Sequence, residues 1–273
     1  MIKISFNEPA TVGWNNWKAN CQLAITALQN DFANNRPLKI SDLYKGQKAV
    51  YFDLHSNFYG KCAYCESLVA HSQPGDVEHY RPKGRITDSN NKVVMITKPD
   101  GTQIPHPGYY WLAYHHLNLL PSCTDCNRPS NANSGGTLIG KWDQFPVKGT
   151  NAVDPGDEVH EEPLLINPLT EEPDGHLEID SIGILHAKDE RGQKCIDLFG
   201  LNLREALVNE RKNTYEDIKD KMMLLIIARM NGGQTQKYEN EITAYRIGSK
   251  PYSVSGRKAI EDFSATLPVI TKI

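Results

Sequence analysis

Gly60-Lys61-Cys62-Ala63-Tyr64-Cys65-Glu66 and Cys123-Thr124-Asp125-Cys126-Asn127 bracket the step Asp76-Val77-Glu78-His79-Tyr80-Arg81-Pro82-Lys83. The two Cys-x-x-Cys pairs decide the reading. Each pair folds as a knuckle that aims two sulfurs at one point. Four thiolates, Cys62, Cys65, Cys123 and Cys126, close a tetrahedral structural Zn²⁺ site with no other ligand. Residues 66–122 lie between the pairs, more than the roughly 15–20 of a simple zinc ribbon, so a substructure is inserted between the knuckles. Two pairs and no βαβ context argue against a redox motif.

Composition sets the setting. The chain has 273 residues with 39% hydrophobic and 23% charged content, ordinary for a globular protein with a real core. Net charge is −3. A protein that wraps nucleic acid unaided is usually basic, so any such contact here needs a local patch or a partner. The N-terminus lacks an apolar signal core, and the apolar run 222–228 is far below the ~20 residues of a membrane span. A cytoplasmic, reducing location is expected, with no membrane. There, paired cysteines read as metal ligands before disulfides.

Outward from the knuckles, the periodicity predicts a helix over 14–32, with Trp17, Cys21, Ala24, Leu28 and Phe32 on one stripe and Cys21 a buried thiol. A second helix is expected over 41–56, its inner face marked by Leu43, Gln47, Val50 and Leu54 and its N-cap by Ser41. Residues 88–108 read as a β-hairpin turning at Pro99-Asp100-Gly101. Residues 148–163 read as a linker or surface loop. Residues 164–168 and 176–180 read as a further hairpin, and 181–185 as an added strand. The strongest signal is a helix over 203–230, with Arg204 on its polar face and 222–227 apolar all round, which implies burial or a partner surface. Gly232-Gly233 stops it. The expected organisation is an N-terminal helical segment (1–56), a zinc-knuckle core (57–147) and a C-terminal hairpin and helical region (148–273).

The step between the knuckles carries chemistry. A neutral His79 is suited to taking a proton from water near pH 7. Glu78 offers hard oxygen to Mg²⁺ or Mn²⁺, and Arg81 and Lys83 suit phosphate. Other histidines read as structural: His115 and His116 are packed or hydrogen-bonded, His55 is exposed, and His71, His106, His160, His176 and His186 show no ligand spacing.

The order of CxxC, acid-His, Asn and CxxC-Asn resembles the zinc-containing HNH, or ββα-metal, endonucleases. Gly60–Glu66, Val77–Lys83, Trp111-Leu112-Ala113-Tyr114, Asn118–Cys123 and Phe145-Pro146-Val147 are similar to the HNH subunit of Septu-type and retron-associated anti-phage systems. A softer likeness runs through Leu165–Pro168 and Leu198–Asn202. The resemblance implies an α+β fold with a ββα-metal core around a four-cysteine structural zinc. By position it implies His79 as general base and Glu78 and Asn127 as ligands of a catalytic Mg²⁺ or Mn²⁺. Asn118 would orient His79, Lys141 would be a further phosphate contact, and Asn131 would lie one turn beyond Asn127 if Asn127 opens a helix. It also implies an ABC-class ATPase partner, a retron reverse transcriptase in some systems, and a nucleic acid substrate, DNA before tRNA. This chain departs from the family after Asn127. Arg128-Pro129 and a longer loop precede Lys141, where the family has a Lys sooner. The rival reading is a non-catalytic zinc module that binds a protein or RNA.

Overall fold

In a computed structural model of the chain, residues 1–53, 56–69, 75–98, 100–131 and 135–266 are described. Helix α1 (Val12–Ala33) starts where the Thr11 hydroxyl accepts the Trp14 N–H at 3.1 Å. It buries Trp14, Trp17, Cys21 and Leu28. Burial pushes the Cys21 thiol up to about 11, so it is an inert core group. The expected helix over 41–56 does not form as one piece. A 3₁₀ turn (Asp42–Gln47) precedes a short α2 (Lys48–Phe52). Gly46 in the turn weakens helix propagation. Ser41 does not cap it; its N–H and Oγ meet the Tyr114 hydroxyl at 2.9 and 3.0 Å. Leu54, His55, His71 and Pro99 lie outside the described residues.

The middle of the chain builds β1 (Asp76–His79), β2 (Met95–Thr97), β3 (Gln103–Pro105), β4 (Leu119–Ser122) and α3 (Thr124–Asn127). The β2–β3 hairpin forms as the sequence predicts. Strands β1 and β4 pair antiparallel, with Asp76 opposite Ser122 and His79 opposite Leu119. The second knuckle then leads directly into α3, an antiparallel pair followed by a short helix. Asn127 closes this helix and does not open it. Arg128 is extended (φ −94, ψ 140), as a residue before Pro129 must be. Asn131 therefore lies outside the helix and is exposed.

Beyond the knuckles come β5 (Val147–Lys148), β6 (Glu162–Pro163), β7 (Leu177–Ile179), β8 (Leu185–Ala187), α4 (Glu190–Leu198), α5 (Glu205–Met230), α6 (Gln236–Arg246) and α7 (Ser253–Thr266). The hairpin partner of 177–179 is β8, not 164–168. Its turn is organised by Asp180 Oδ1, which accepts from Ile182 and Ile184 N–H at 3.0 and 2.9 Å. The stretch 148–163 is more than linker, because β5 and β6 pair across it.

One core runs from Trp14 and Trp17 through the knuckles, Tyr109–Trp111 and Phe145 to Leu165, Cys195 and Phe199. Tyr64 of the first knuckle stacks on Phe199 at 4.1 Å between ring centres. A smaller core of Ile218, Leu225, Ile242, Ala259 and Ile260 joins α5, α6 and α7. The apolar end of α5 is split: Leu225 is buried, whereas Met223, Leu224 and Ile227 are exposed.

Candidate active site and metal centre

Cys62, Cys65, Cys123 and Cys126 are all buried, and their sulfurs lie within 4.8 Å of one another. The Cys65 and Cys123 sulfurs are 3.7 Å apart. Tetrahedral Zn–S bonds of about 2.3 Å put sulfurs roughly 3.8 Å apart, so the donor set and spacing fit a zinc ion. The chain brings them together simply. Ala63 N–H donates to Pro121 O at 2.9 Å, which ties the first knuckle to the end of β4. Hydrogen bonds from Cys123, Cys126 and Cys62 draw the Cys65 thiol well below the usual range, while burial pushes Cys126 up. A divalent ion removes that split by holding all four as thiolates.

Arg204, expected on a solvated helix face, is instead buried against this knot. Its guanidinium donates to Cys126 Sγ at 3.3 Å and Cys123 Sγ at 3.9 Å. It also faces Asp125 at 3.7 Å. Arg211, further along the same helix, is 1% exposed; its Nη1 donates to Leu201 O at 2.8 Å, and among the described residues its Nε and Nη2 have no hydrogen-bond partner. A buried guanidinium on two of the four sulfurs offsets part of the charge of a dianionic tetrathiolate–zinc unit. Periodicity could not reveal this, because Arg204 looks like any polar-face residue until the chain folds back. Arg204→Met is expected to weaken zinc retention roughly 10- to 100-fold, measured by chelator competition. Unchanged retention would show that Arg204 does not support the thiolates.

His79 ends β1 and is buried. Its Nε2 lies 2.9 Å from Ala113 O. A carbonyl only accepts, so Nε2 carries the proton and Nδ1 is the free base. Nδ1 faces Lys83 Nζ at 3.5 Å. Tyr44 sets its ring edge-on at 4.7 Å. Burial, then the nearby Lys83, holds His79 well below the usual histidine range, so it is neutral at pH 7.

Glu78, His79, Lys83, Asn127 and Asp76 line one cleft of about 760 Å³. Glu78 is buried, and its Oε1 accepts from Lys141 at 2.7 Å. Burial raises the Glu78 carboxyl, against the pull of Lys141. Lys141 is fully buried and also donates to His79 O at 2.8 Å. Its ammonium thus stands behind Glu78 and not at the cleft mouth where a phosphate contact would be. Arg81 also faces elsewhere. It pairs with Glu161 at 2.9 Å and lines a second cleft beside Asn118. Lys83 is the expected phosphate contact that does line the cleft with His79.

The Asn118 side chain bonds to the backbone and not to the His79 imidazole. Its Oδ1 accepts from Arg81 N–H at 2.7 Å, and its Nδ2 donates to Arg81 O and Leu112 O at 3.0 and 3.1 Å. It fixes the residue before Ala113, whose carbonyl holds His79. Asn127 donates from Nδ2 to Asp76 Oδ2 at 3.0 Å, which fixes the amide and leaves Oδ1 as its acceptor. Arg128 clamps the same carboxylate through two bonds of 2.8 Å. Asp76 had one sequence signal: it precedes Glu78 by two on the same strand face. Of the other histidines, His106 bonds Ala152 O at 2.9 Å, His116 faces Glu8 at 3.2 Å, and His186 faces Asp180 at 2.8 Å.

With this geometry in place, comparison with known proteins gives two relatives. The chain is 36% identical over 177 residues to "Septu protein PtuB" of Bacillus mycoides (strain KBAB4). It is 31% identical over 167 residues to "Septu protein PtuA" of the same strain. Both relatives are named Septu proteins. The PtuB match covers 63% of this chain and 53% of that protein, and the PtuA match 60% of this chain and 20% of that protein. The chain therefore spans about half the length of one curated relative and a fifth of the other. No protein-family model matches the chain, and no solved structure matches it significantly. Among the described residues, no helix is long and apolar enough to cross a membrane.

Proposed function

We propose that this chain is the HNH-type endonuclease component of a Septu-type anti-phage defence system and hydrolyses phosphodiester bonds of invading DNA with a divalent metal. One observation carries the reading. A neutral histidine whose unprotonated Nδ1 faces Lys83 sits in the same cleft as a carboxylate and an amide. The relatives named Septu proteins favour the defence setting.

In this mechanism His79 Nδ1 takes the proton from the attacking water. The Ala113 carbonyl fixes the imidazole, and through Nε2–H it steadies the charge that forms. Lys83, 3.5 Å from Nδ1, holds the phosphate beside it. Glu78 and Asn127 fit a hard ion: Glu78 keeps a second carboxylate oxygen beyond its Lys141 bond, and Asn127 keeps Oδ1. Mg²⁺ or Mn²⁺ held there would stabilise charge on the phosphate and the leaving oxygen. Lys141 holds Glu78 from behind, and the zinc knot holds β4 and α3 in place. An ABC-class ATPase acting with this chain would supply the nucleic-acid grip that a net charge of −3 does not. The test is cleavage of plasmid DNA and total tRNA with Mg²⁺ or Mn²⁺, comparing the wild type with His79→Ala. Cleavage that survives in the folded variant sinks the reading.

A further inference from the structure

We propose that Trp142 is a stacking platform for an unpaired nucleobase beside the phosphate held in the cleft, so that the cleaved segment is single-stranded or locally unpaired. The proposal rests on the nuclease reading of that cleft and names its substrate class.

The chain has four tryptophans. Trp14, Trp17 and Trp111 are buried, whereas Trp142 is 52% exposed. It lies on the wall of the cleft that holds His79 and Asn127. Its backbone is in the left-handed region, φ 49, which a bulky side chain rarely adopts and which costs free energy. The surrounding chain imposes it. Trp142 N–H donates to Asn127 O at 2.7 Å, and Lys141 N–H donates to Cys126 O at 2.9 Å. Lys141 itself is pinned inside by Glu78. At Gly140 (φ 101) a Cβ would meet Arg128 O at 2.2 Å, so the chain passes under the end of α3 with a glycine there. The Trp142 backbone is thus tied to Asn127, and its indole stands half-exposed on the cleft wall.

An apolar ring held outward at a strained position, in a cleft, offers a π face to a ligand. Lys83, Arg85 and Arg128 line the same cleft. Arg85 and Arg128 each rest on an aspartate, Asp143 and Asp76, so their charge is already largely neutralised. The net charge of −3 leaves little general attraction for a phosphate backbone. Stacking supplies affinity that does not depend on charge. In a duplex both faces of each base are already stacked, so the ring fits only an unpaired base.

The test uses the full chain carrying His79→Ala, titrated with a short single-stranded DNA, a single-stranded RNA, and the DNA as duplex. Trp142 is the tryptophan open to solvent, so the quenching that disappears in Trp142→Phe reports the contact. Quenching by either single strand, with weak or no quenching by duplex, is expected. Adding Trp142→Ala should weaken single-strand binding roughly tenfold to a hundredfold, and Trp142→Phe should restore most of it. Single-strand binding without quenching overturns the proposal. So does equal affinity in Trp142→Ala, equal quenching by duplex, or no binding of any probe. The nuclease reading is judged separately, by whether wild-type cleavage is lost in His79→Ala.

Discussion

Replacing Cys126 by Ser, or stripping the metal with a chelator, is expected to abolish the cooperative unfolding transition of this protein. Structural zinc supplies an apparent ~10–16 kcal/mol to small metal-nucleated folds. A domain's whole net stability is about 5–15 kcal/mol. Even partial loss of the metal term therefore removes most of the margin. The packing makes the loss general and not local. Tyr64 of the first knuckle stacks on Phe199, and Arg204 at the start of α5 donates to two cluster sulfurs. Without the ion, Arg204 becomes a buried cation facing thiols. Control substitutions are Cys21→Ser and Cys195→Ser, buried cysteines outside the cluster. These should cost about 1 kcal/mol, the centre of ordinary point substitutions, and keep zinc. Thermal unfolding with metal analysis checks the prediction. A Cys126→Ser chain that melts like wild type would show that the knot does not carry the fold.

His79→Ala is expected to lower metal-dependent phosphodiester cleavage by about 10²–10⁴-fold, the usual share of a positioned general base. The side chain is buried beside Tyr44, so the variant leaves a small cavity. Unchanged zinc content and a cooperative melt are the controls for folding. Glu78→Gln, nearly isosteric, gives an independent arm. If Glu78 holds the proposed catalytic ion, this variant should cut activity by weakening that hold, and excess Mn²⁺ should restore part of it. Both variants should be assayed alone and with the proposed ATPase partner. If zinc-loaded wild type cuts neither DNA nor tRNA in either state, the zinc-module reading becomes the better one. If His79→Ala cuts as wild type does, His79 is not the base.

Much of this site was legible along the chain before folding. Two Cys-x-x-Cys pairs are a local geometric code, so the four sulfurs could be named without tertiary information, and they do converge. Glu78 and His79 are neighbours in sequence and stay neighbours in the cleft. Strong periodicity marked α1 and α5 nearly to their ends. What failed was pairing at a distance. The partner of β7 is β8 because Asp180 builds the turn there, although 164–168 has the better apolar run. The long helix expected over 41–56 lost to Gly46 and to the Tyr114 hydroxyl, which takes Ser41 from its expected cap.

Which charges face the cleft was settled by long-range folding. Arg81, Lys83 and Lys141 look alike as phosphate contacts along the chain. Folding gives Arg81 to Glu161 and buries Lys141 behind Glu78, and it leaves Lys83 beside His79. It also turns Arg204 inward to the sulfurs and Trp142 outward to solvent. The physical reason is the same in each case. A side chain's ionic and packing partners lie far along the chain, and no local pattern encodes which of them will come within contact distance, as with Lys141 and Glu78 at 2.7 Å or Arg204 and Cys126 at 3.3 Å.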